Sequence, residues 1–352
     1  RPVAFYINGE YGGLFGLRER TNKDYVYSNY GYEEEDLDVI EITAKDGVTA
    51  STGTVDYFNE MIRVAGENQS DAGYMAKMSK YMDVNEYVDY MTFEQYIVNT
   101  DWPGNNIKVW RERNHGVFRW LVYDTDFGFG LYQSYGPNYC GPNMNTIKFS
   151  SGESEQKNWA NEEEWQCELF KNLLGNKDFQ KKFITRNLFN LKKFYCYDRV
   201  KPIIDSMVAL ASDEYCAMKS DEYYDASGKL ETSDEVKGLY SFAEKRSKVI
   251  PEHIKEYFKL GEVVDLTISS NVDGARYLIN GELYDSSSYK GLYYADLDLS
   301  VAPIPPKGYE FDSWSLSASI SESLLSDSAA WAYYYDSLPP ASDWNSVGFD
   351  DS

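Results

Sequence analysis

Residues 99–130 hold the side chains best suited to chemistry. Asp101 lies in the run Asn99-Thr100-Asp101-Trp102-Pro103-Gly104-Asn105-Asn106, and Asn106 follows it five positions on. Asp124 and Asp126 come next, directly after an apolar run and beside Gly128 and Gly130. Phosphoryl transfer uses such parts in this order. One carboxylate orients an attacking hydroxyl and takes its proton, while an Asn oxygen and a further Asp hold the divalent metal that bridges nucleotide phosphates. Mg2+ suits this set, because a hard cation takes oxygen ligands and usually only one or two carboxylates beside the phosphates.

The Asp-x4-Asn spacing equals that of a protein-kinase catalytic loop, and Asp126-Phe127-Gly128 spells the metal-binding triplet. Asp124 is the first residue past the apolar run, where the metal ligand is expected. Asp126 fits the literal triplet as a second ligand. Other readings stay open on the residues alone. Asp101 can be the hydrogen-bonding residue of a turn at Pro103-Gly104. Asp124 and Asp126 can be a glycosidase pair, with Trp102, Trp110 and Trp120 as sugar platforms. They do not open an EF-hand, whose twelfth position would be Tyr135 rather than Glu.

These residues need elements to position them. Tyr87, Val88, Met91, Gln95 and Val98 recur at helical steps after Asp83, an N-cap residue, which predicts a helix over 84–98. A second helix is predicted over 53–66. Ile107 to Trp110 and Val117 to Tyr123 read as two strands joined at Asn114-His115-Gly116. Upstream, Val3 to Ile7 and Leu14 to Leu17 flank Asn8-Gly9, a strong hairpin signal. Gly12, Gly13 and Gly16 imply close approach by backbone or ligand. Residues 162–260 carry helical spacing. After Gly261 the pattern turns to strands, Val263 to Ile268 and Arg276 to Ile279, with a hairpin turn at Asn280-Gly281. Ser313 to Ser328 reads as a linker, and the aromatic stretch from Trp331 to Trp344 as the start of a further module.

The chain has 352 residues, which at roughly 150 per domain implies about two domains. Hydrophobic residues make up 43%, enough for a core. The net charge of −23 argues against a nucleic-acid backbone or an anionic membrane surface as partner. No apolar run approaches the ~20 residues of a membrane span. With only His115 and His253, and no CxxC, histidine triads and zinc ribbons have little support. Both histidines read as surface or packing residues. Cys140, Cys167, Cys196 and Cys216 are expected to be buried thiols, with a Cys196–Cys216 bridge as the alternative for an exported protein. Arg1 to Ile7 reads as a strand already under way, so the chain is expected to be a fragment, and missing targeting signals say nothing of compartment.

The segments VAFYINGEYGGLFGLRER, IVNTDWPGNNIKVWR and FRWLVYDTDFGFG resemble the signature blocks of the CotH family of spore-coat atypical protein kinases. SFAEKRSKVIPEHIKEYF resembles the helix that closes that domain. The resemblance spans roughly residues 1–260. It implies an α+β, kinase-like fold in which the end of an N-lobe hairpin precedes a mainly helical C-lobe. It also implies a secreted or surface location, and transfer of phosphate from ATP to Ser or Thr of partner proteins with Mg2+ or Mn2+. Carried onto this chain, Asp101 matches the catalytic Asp. Asn106 and Asp124, with Asp126 beside them, match the metal site. The hinge against which adenine stacks falls on Leu17, Arg18, Glu19 and Arg20. The phosphate-holding Lys and its Glu partner would precede Arg1, so residues 1–352 alone are expected to transfer phosphate poorly.

The expected domains are a kinase-like domain over 1–261 and a β-repeat over 262–318, followed by a linker and truncated β-sandwich over 319–352. The β-repeat resembles the divergent internalin B-repeat through LTISSNVDGARYLING and PPKGYEFDSW. The alternative function is a non-catalytic surface adhesin, its kinase-like domain a scaffold for glycan or cell-envelope ligands.

Overall fold

The computed structural model describes residues 2–131, 140–217 and 230–315, with side chains except at 213–217. Its first elements are β1 (Pro2–Ile7) and β2 (Glu10–Gly16), an antiparallel hairpin. Asn8 and Gly9 both take positive φ, +52° and +87°, as a tight two-residue hairpin turn requires. β2 starts directly after that turn, earlier than the Leu14 expected from the apolar run. The glycines serve the backbone here. Gly13 (φ +117°) lies at a bulge opposite Phe5, and a Cβ on Gly12 would come within 3.0 Å of the Phe5 ring.

Helix α1 (Lys23–Tyr30) starts at Asn22, whose side chain accepts the Asp24 and Tyr25 N–H groups, and ends at Gly31 in the left-handed region. Then come β3 (Leu37–Thr43), β4 (Gly47–Thr52), α2 (Asp56–Ala65), α3 (Tyr74–Met78), α4 (Val84–Ile97), β5 (Ile107–Glu112) and β6 (Arg119–Leu121). The strands form one antiparallel sheet in the order β4-β3-β5-β6. β3 and β4 have no counterpart in the sequence expectations. β3 is covered on both sides, so it lacks simple alternation, and Asp38 interrupts its apolar run. That aspartate is 1% exposed because Arg111 and Arg113 pair with it, at 2.7 and 3.2 Å, and Thr54 N–H donates to it. β6 is shorter than the predicted 117–123. Phe118 pairs with the Tyr81–Met82 segment instead, and Asp124 turns the chain away with φ +52°.

The helical region resolves into α5 (Thr146–Ser150), α6 (Glu168–Leu174), α7 (Lys177–Lys193), α8 (Tyr197–Ala217) and α9 (Asp234–Phe258). One face of the sheet (Ile40, Ile42, Ile107, Val109) packs into a core with Met61 of α2, Val88 and Met91 of α4, and Phe179 and Phe183 of α7. The other face (Leu37, Val39, Trp110, Leu121) is covered by Val26 of α1.

Five further strands follow: β7 (Val263–Ser269), β8 (Arg276–Ile279), β9 (Glu282–Tyr284), β10 (Ser288–Tyr294) and β11 (Val301–Ile304). β10 pairs with β7, and β11-β8-β9 form a second small sheet, with Asn280-Gly281 as the β8–β9 turn. These strands dock on the helices through the Arg186–Glu282 ion pair (2.7 Å) and the Tyr294 hydroxyl, which donates to Pro251 O at 2.8 Å. The chain divides into compact units at 1–306 and 307–352.

The fold is mixed helix and sheet. Among the described residues no helix is long and apolar enough to cross a membrane. Cys140, Cys167 and Cys196 are free thiols, and the Cys216 side chain lies outside the described residues. So do the predicted linker beyond Ser315 and the aromatic segment 331–344.

Candidate active site

The C-terminal end of α4 organises the acidic residues. Asp83 caps the start of α4 by accepting the Asn85 and Glu86 N–H groups. At the other end Val98 adopts φ +56°, an uncommon conformation for a β-branched residue, and reverses the chain into residues 99–106. There Asn99 is pinned from below, its side-chain amide donating 2.9 Å to Glu94. Its oxygen accepts the Asp101 N–H at 3.1 Å. Trp102 is buried beside Tyr90, and the Trp102–Pro103 peptide is cis.

Three donors fix the Asp101 carboxylate. Asn105 Nδ2 donates at 2.8 Å to one oxygen, which also takes the Trp159 indole N–H. Asn106 Nδ2 donates at 2.7 Å to the other. Asn106 manages this in the left-handed region (φ +54°), which Asn tolerates better than most residues. Its amide nitrogen is thereby spent on Asp101, which leaves the amide oxygen as a hard donor. Asn105 is anchored in turn, its oxygen accepting the Ala44 N–H from the β3–β4 turn at 3.0 Å.

The second acidic segment is stitched to the same helix end. Phe129 N–H donates 2.7 Å to Ile97 O, the last carbonyl of α4, and Gly128 N–H donates to Thr125 O. Gly128 has no room for a side chain, since a Cβ would meet Thr125 O at 3.0 Å and Ile97 O at 3.2 Å. The Phe129 ring packs against Phe242, which clamps the turn to α9. Asp124 and Asp126 are thus delivered beside Asp101. The Asp124 carboxyl is pushed above its ordinary range by partial burial, then by the charges of Asp126 and Asp101, while Arg18 opposes the shift.

Asn106 thus bonds Asp101, and the charges of Asp126, Asp101 and Arg18 all act on Asp124. Leu17 is exposed in the segment after β2, and Glu19 accepts a hydrogen bond from Asn29 of α1. The glycosidase reading loses its platforms: Trp102, Trp110 and Trp120 are all buried. Among the described residues no three His, Cys, Asp or Glu side chains form a ready metal cage. The donors that do converge are carboxylates that repel one another beside an uncommitted amide oxygen. That oxygen-rich set suits Mg2+ or Mn2+ and leaves coordination sites for phosphate.

Some residues of the site carry no signal in the sequence. Trp159 reaches Asp101 from an irregular segment strapped down by the Gly104 N–H to Ala160 O bond (2.7 Å) and by Asn158 Nδ2 to Thr100 O (2.7 Å). Its ring meets Phe127 edge-on. Asn105 and Asn99 lie inside the motif, but their roles are visible only in the hydrogen bonds.

The sequence profile of the family described as CotH kinase protein matches residues 1–250. The chain belongs to the CotH kinase family. No curated protein matches it. Its kinase-like character, and the nucleotide and divalent metal use that go with it in general terms, follow from that membership.

Proposed function

We propose that this CotH-family chain carries a protein kinase site that transfers the γ-phosphate of ATP, with Mg2+ or Mn2+, to Ser or Thr hydroxyls of an exported or surface protein. One observation supports this above the others. A carboxylate held by three donors, Asp101, sits on a loop anchored to the same helix end as the Asp124–Asp126 turn, close enough for the charges to repel. In the reaction an Asp101 oxygen accepts the proton of the substrate hydroxyl. The hydroxyl oxygen forms its bond to the γ-phosphorus in line with the breaking bond to the β–γ bridging oxygen, and ADP leaves. Asn106 Oδ1 and Asp124, with Asp126 as second carboxylate, would hold the cation, which when bound neutralises charge on the phosphates. Asn105 and Trp159 keep Asp101 from swinging away. Arg18 brings positive charge to the same face, and Leu17 to Arg20 would flank the nucleotide base. In this reading residues 1–261 are the kinase-like domain, 262–318 the β-repeat, and 319–352 a linker with the start of a β-sandwich.

The test is ATP with Mg2+ or Mn2+ added to the wild-type chain and to Asp101→Ala and Asp124→Ala, read by melting temperature and intact mass. A metal-dependent ATP stabilisation lost in Asp124→Ala is expected. Phosphate mass steps are expected to be small for residues 1–352 and absent in both variants. No ATP response with either metal would sink the reading and turn attention to surface binding.

A further inference from the structure

The sheet face covered by α1 continues past that helix. Leu37 and Val39 of β3, Trp110 of β5 and Leu121 of β6 share this face with Val26. In register, the next positions along it are Glu41 of β3 and Lys108 of β5, directly paired across the strands. Leu121 faces Lys108 from β6, and Tyr123 follows two residues beyond. Apolar contact gives way to charge at this point. The Lys108 ammonium lies 3.3 Å from Glu41 and 4.3 Å from the centre of the Tyr123 ring. The Tyr123 hydroxyl donates to Glu41 at 3.5 Å, a long contact.

The chain positions of the trio matter more than its internal bonds. Lys108 is two residues past Asn106, and Tyr123 directly precedes Asp124. The trio therefore spans the roots of both acidic segments. On the near side, Asn29 of α1 holds Glu19, which ties the Leu17–Arg20 segment to the helix covering this face. Arg18 of that segment brings its charge to Asp124, the residue next to Tyr123. The bland alternative is a cross-strand ion pair, which adds modest stability. It leaves unexplained why a largely covered lysine, its side chain 19% exposed, sits over a tyrosine here.

We propose that Lys108, held by Glu41 and the face of Tyr123, binds the phosphate chain of the nucleoside triphosphate. The proposal rests on the kinase reading above. An ammonium has three donors; Glu41 engages one, and the others serve phosphate oxygens. The Lys–Glu pair that protein kinases use to hold phosphates is then supplied by adjacent strands, β3 before the catalytic loop and β5 after it.

The experiment is MgATP and MnATP binding by calorimetry to the wild-type chain, Lys108→Met, Lys108→Gln, Lys108→Arg and Asp124→Ala, with a melting curve for each. Lys108→Met and Lys108→Gln are expected to weaken ATP binding by about tenfold or more at an unchanged melting temperature, and Lys108→Arg to restore most of it. Wild-type affinity in Lys108→Met with loss in Asp124→Ala overturns this inference and leaves the kinase reading standing. Weakening that tracks a fall in melting temperature in both neutral variants makes Lys108 structural and also overturns it. No ATP binding by the wild type overturns both.

Discussion

The indole N–H of Trp159 donates to the same Asp101 carboxylate oxygen that Asn105 holds. The indole is 46% exposed, so it contributes little to the core, yet it bonds the group proposed as the base. Trp159→Phe removes the donor and keeps an aromatic ring against Phe127. A hydrogen bond to a charged group is worth about 1.5–3 kcal/mol. The variant should lose about ten- to a hundredfold in phosphate transfer, and its melting temperature should fall by at most about 3–12 °C. Single-turnover transfer beside a melting curve checks this, and a rate within about twofold of wild type would show that Trp159 does not position Asp101.

Asp124 is placed against like charge. Partial burial, Asp126 and Asp101 all disfavour its ionised form. Its φ of +52° is one that Asn also tolerates, so Asp124→Asn keeps the shape and relieves the repulsion. Without metal the variant should melt at or above the wild-type temperature. With Mn2+ and ATP it should show none of the wild-type stabilisation. Thermal shift with and without metal decides, and a variant that melts lower without metal contradicts the repulsion argument.

What was legible in the sequence was local. Asn8-Gly9 announces its hairpin because the turn needs two positive φ angles, and Asp83 announces α4 because a carboxylate caps free N–H groups. Asp101 and Asn106 share a loop, so their spacing could be read locally, and Asn106 does bond Asp101. What stayed hidden depends on partners far along the chain. β3 is masked by Asp38, whose charge makes sense only beside Arg111 and Arg113. Trp159 lies 58 residues from Asp101 on an irregular segment with no periodicity to read. The Glu41–Lys108 pair exists only once β3 and β5 are known to be neighbours.

Arg246 of α9 is fully buried, and no carboxylate among the described residues pairs with it. Burial pushes its guanidinium down to about 9. Its donors instead meet the carbonyls of Gln95 and Tyr96 at the end of α4, those of Pro142 and Met144, and the Thr146 hydroxyl, at 2.6–3.1 Å. It thereby anchors the helix end that carries both acidic segments. Arg246→Met strands these acceptors and should cost about 3 kcal/mol or more. That corresponds to about 6–12 °C in melting temperature. Arg246→Lys should recover little, since an ammonium cannot span the same fork of acceptors. Calorimetry on both variants checks this, and a loss under about 2 °C in Arg246→Met would mean that water replaces the guanidinium freely.

Glu94 gives the Asp101 loop a dependence on pH. Its carboxyl is 1% exposed; one oxygen accepts Asn99 Nδ2, and the other is buried without a partner. Burial raises it from 4.5 to about 8, so the native state holds a proton that the unfolded chain releases above 4.5. The native state binds more protons across that window, so this contribution is full below about 4.5 and is lost as pH rises through about 8. It amounts to at most about 5 kcal/mol. His253 works at the acid side. Burial first, then Arg246, lowers it from 6.5 to about 4, so its contribution is lost as pH falls across that range. Glu94→Gln keeps an oxygen for Asn99 and removes only the first effect. Its stability relative to wild type should therefore climb by several kcal/mol between pH 5 and pH 9. Urea unfolding at pH 5, 7 and 9 measures the difference. Parallel profiles would mean that Glu94 is already ionised in the native protein, and that the Asn99–Asp101 segment rests on a charge.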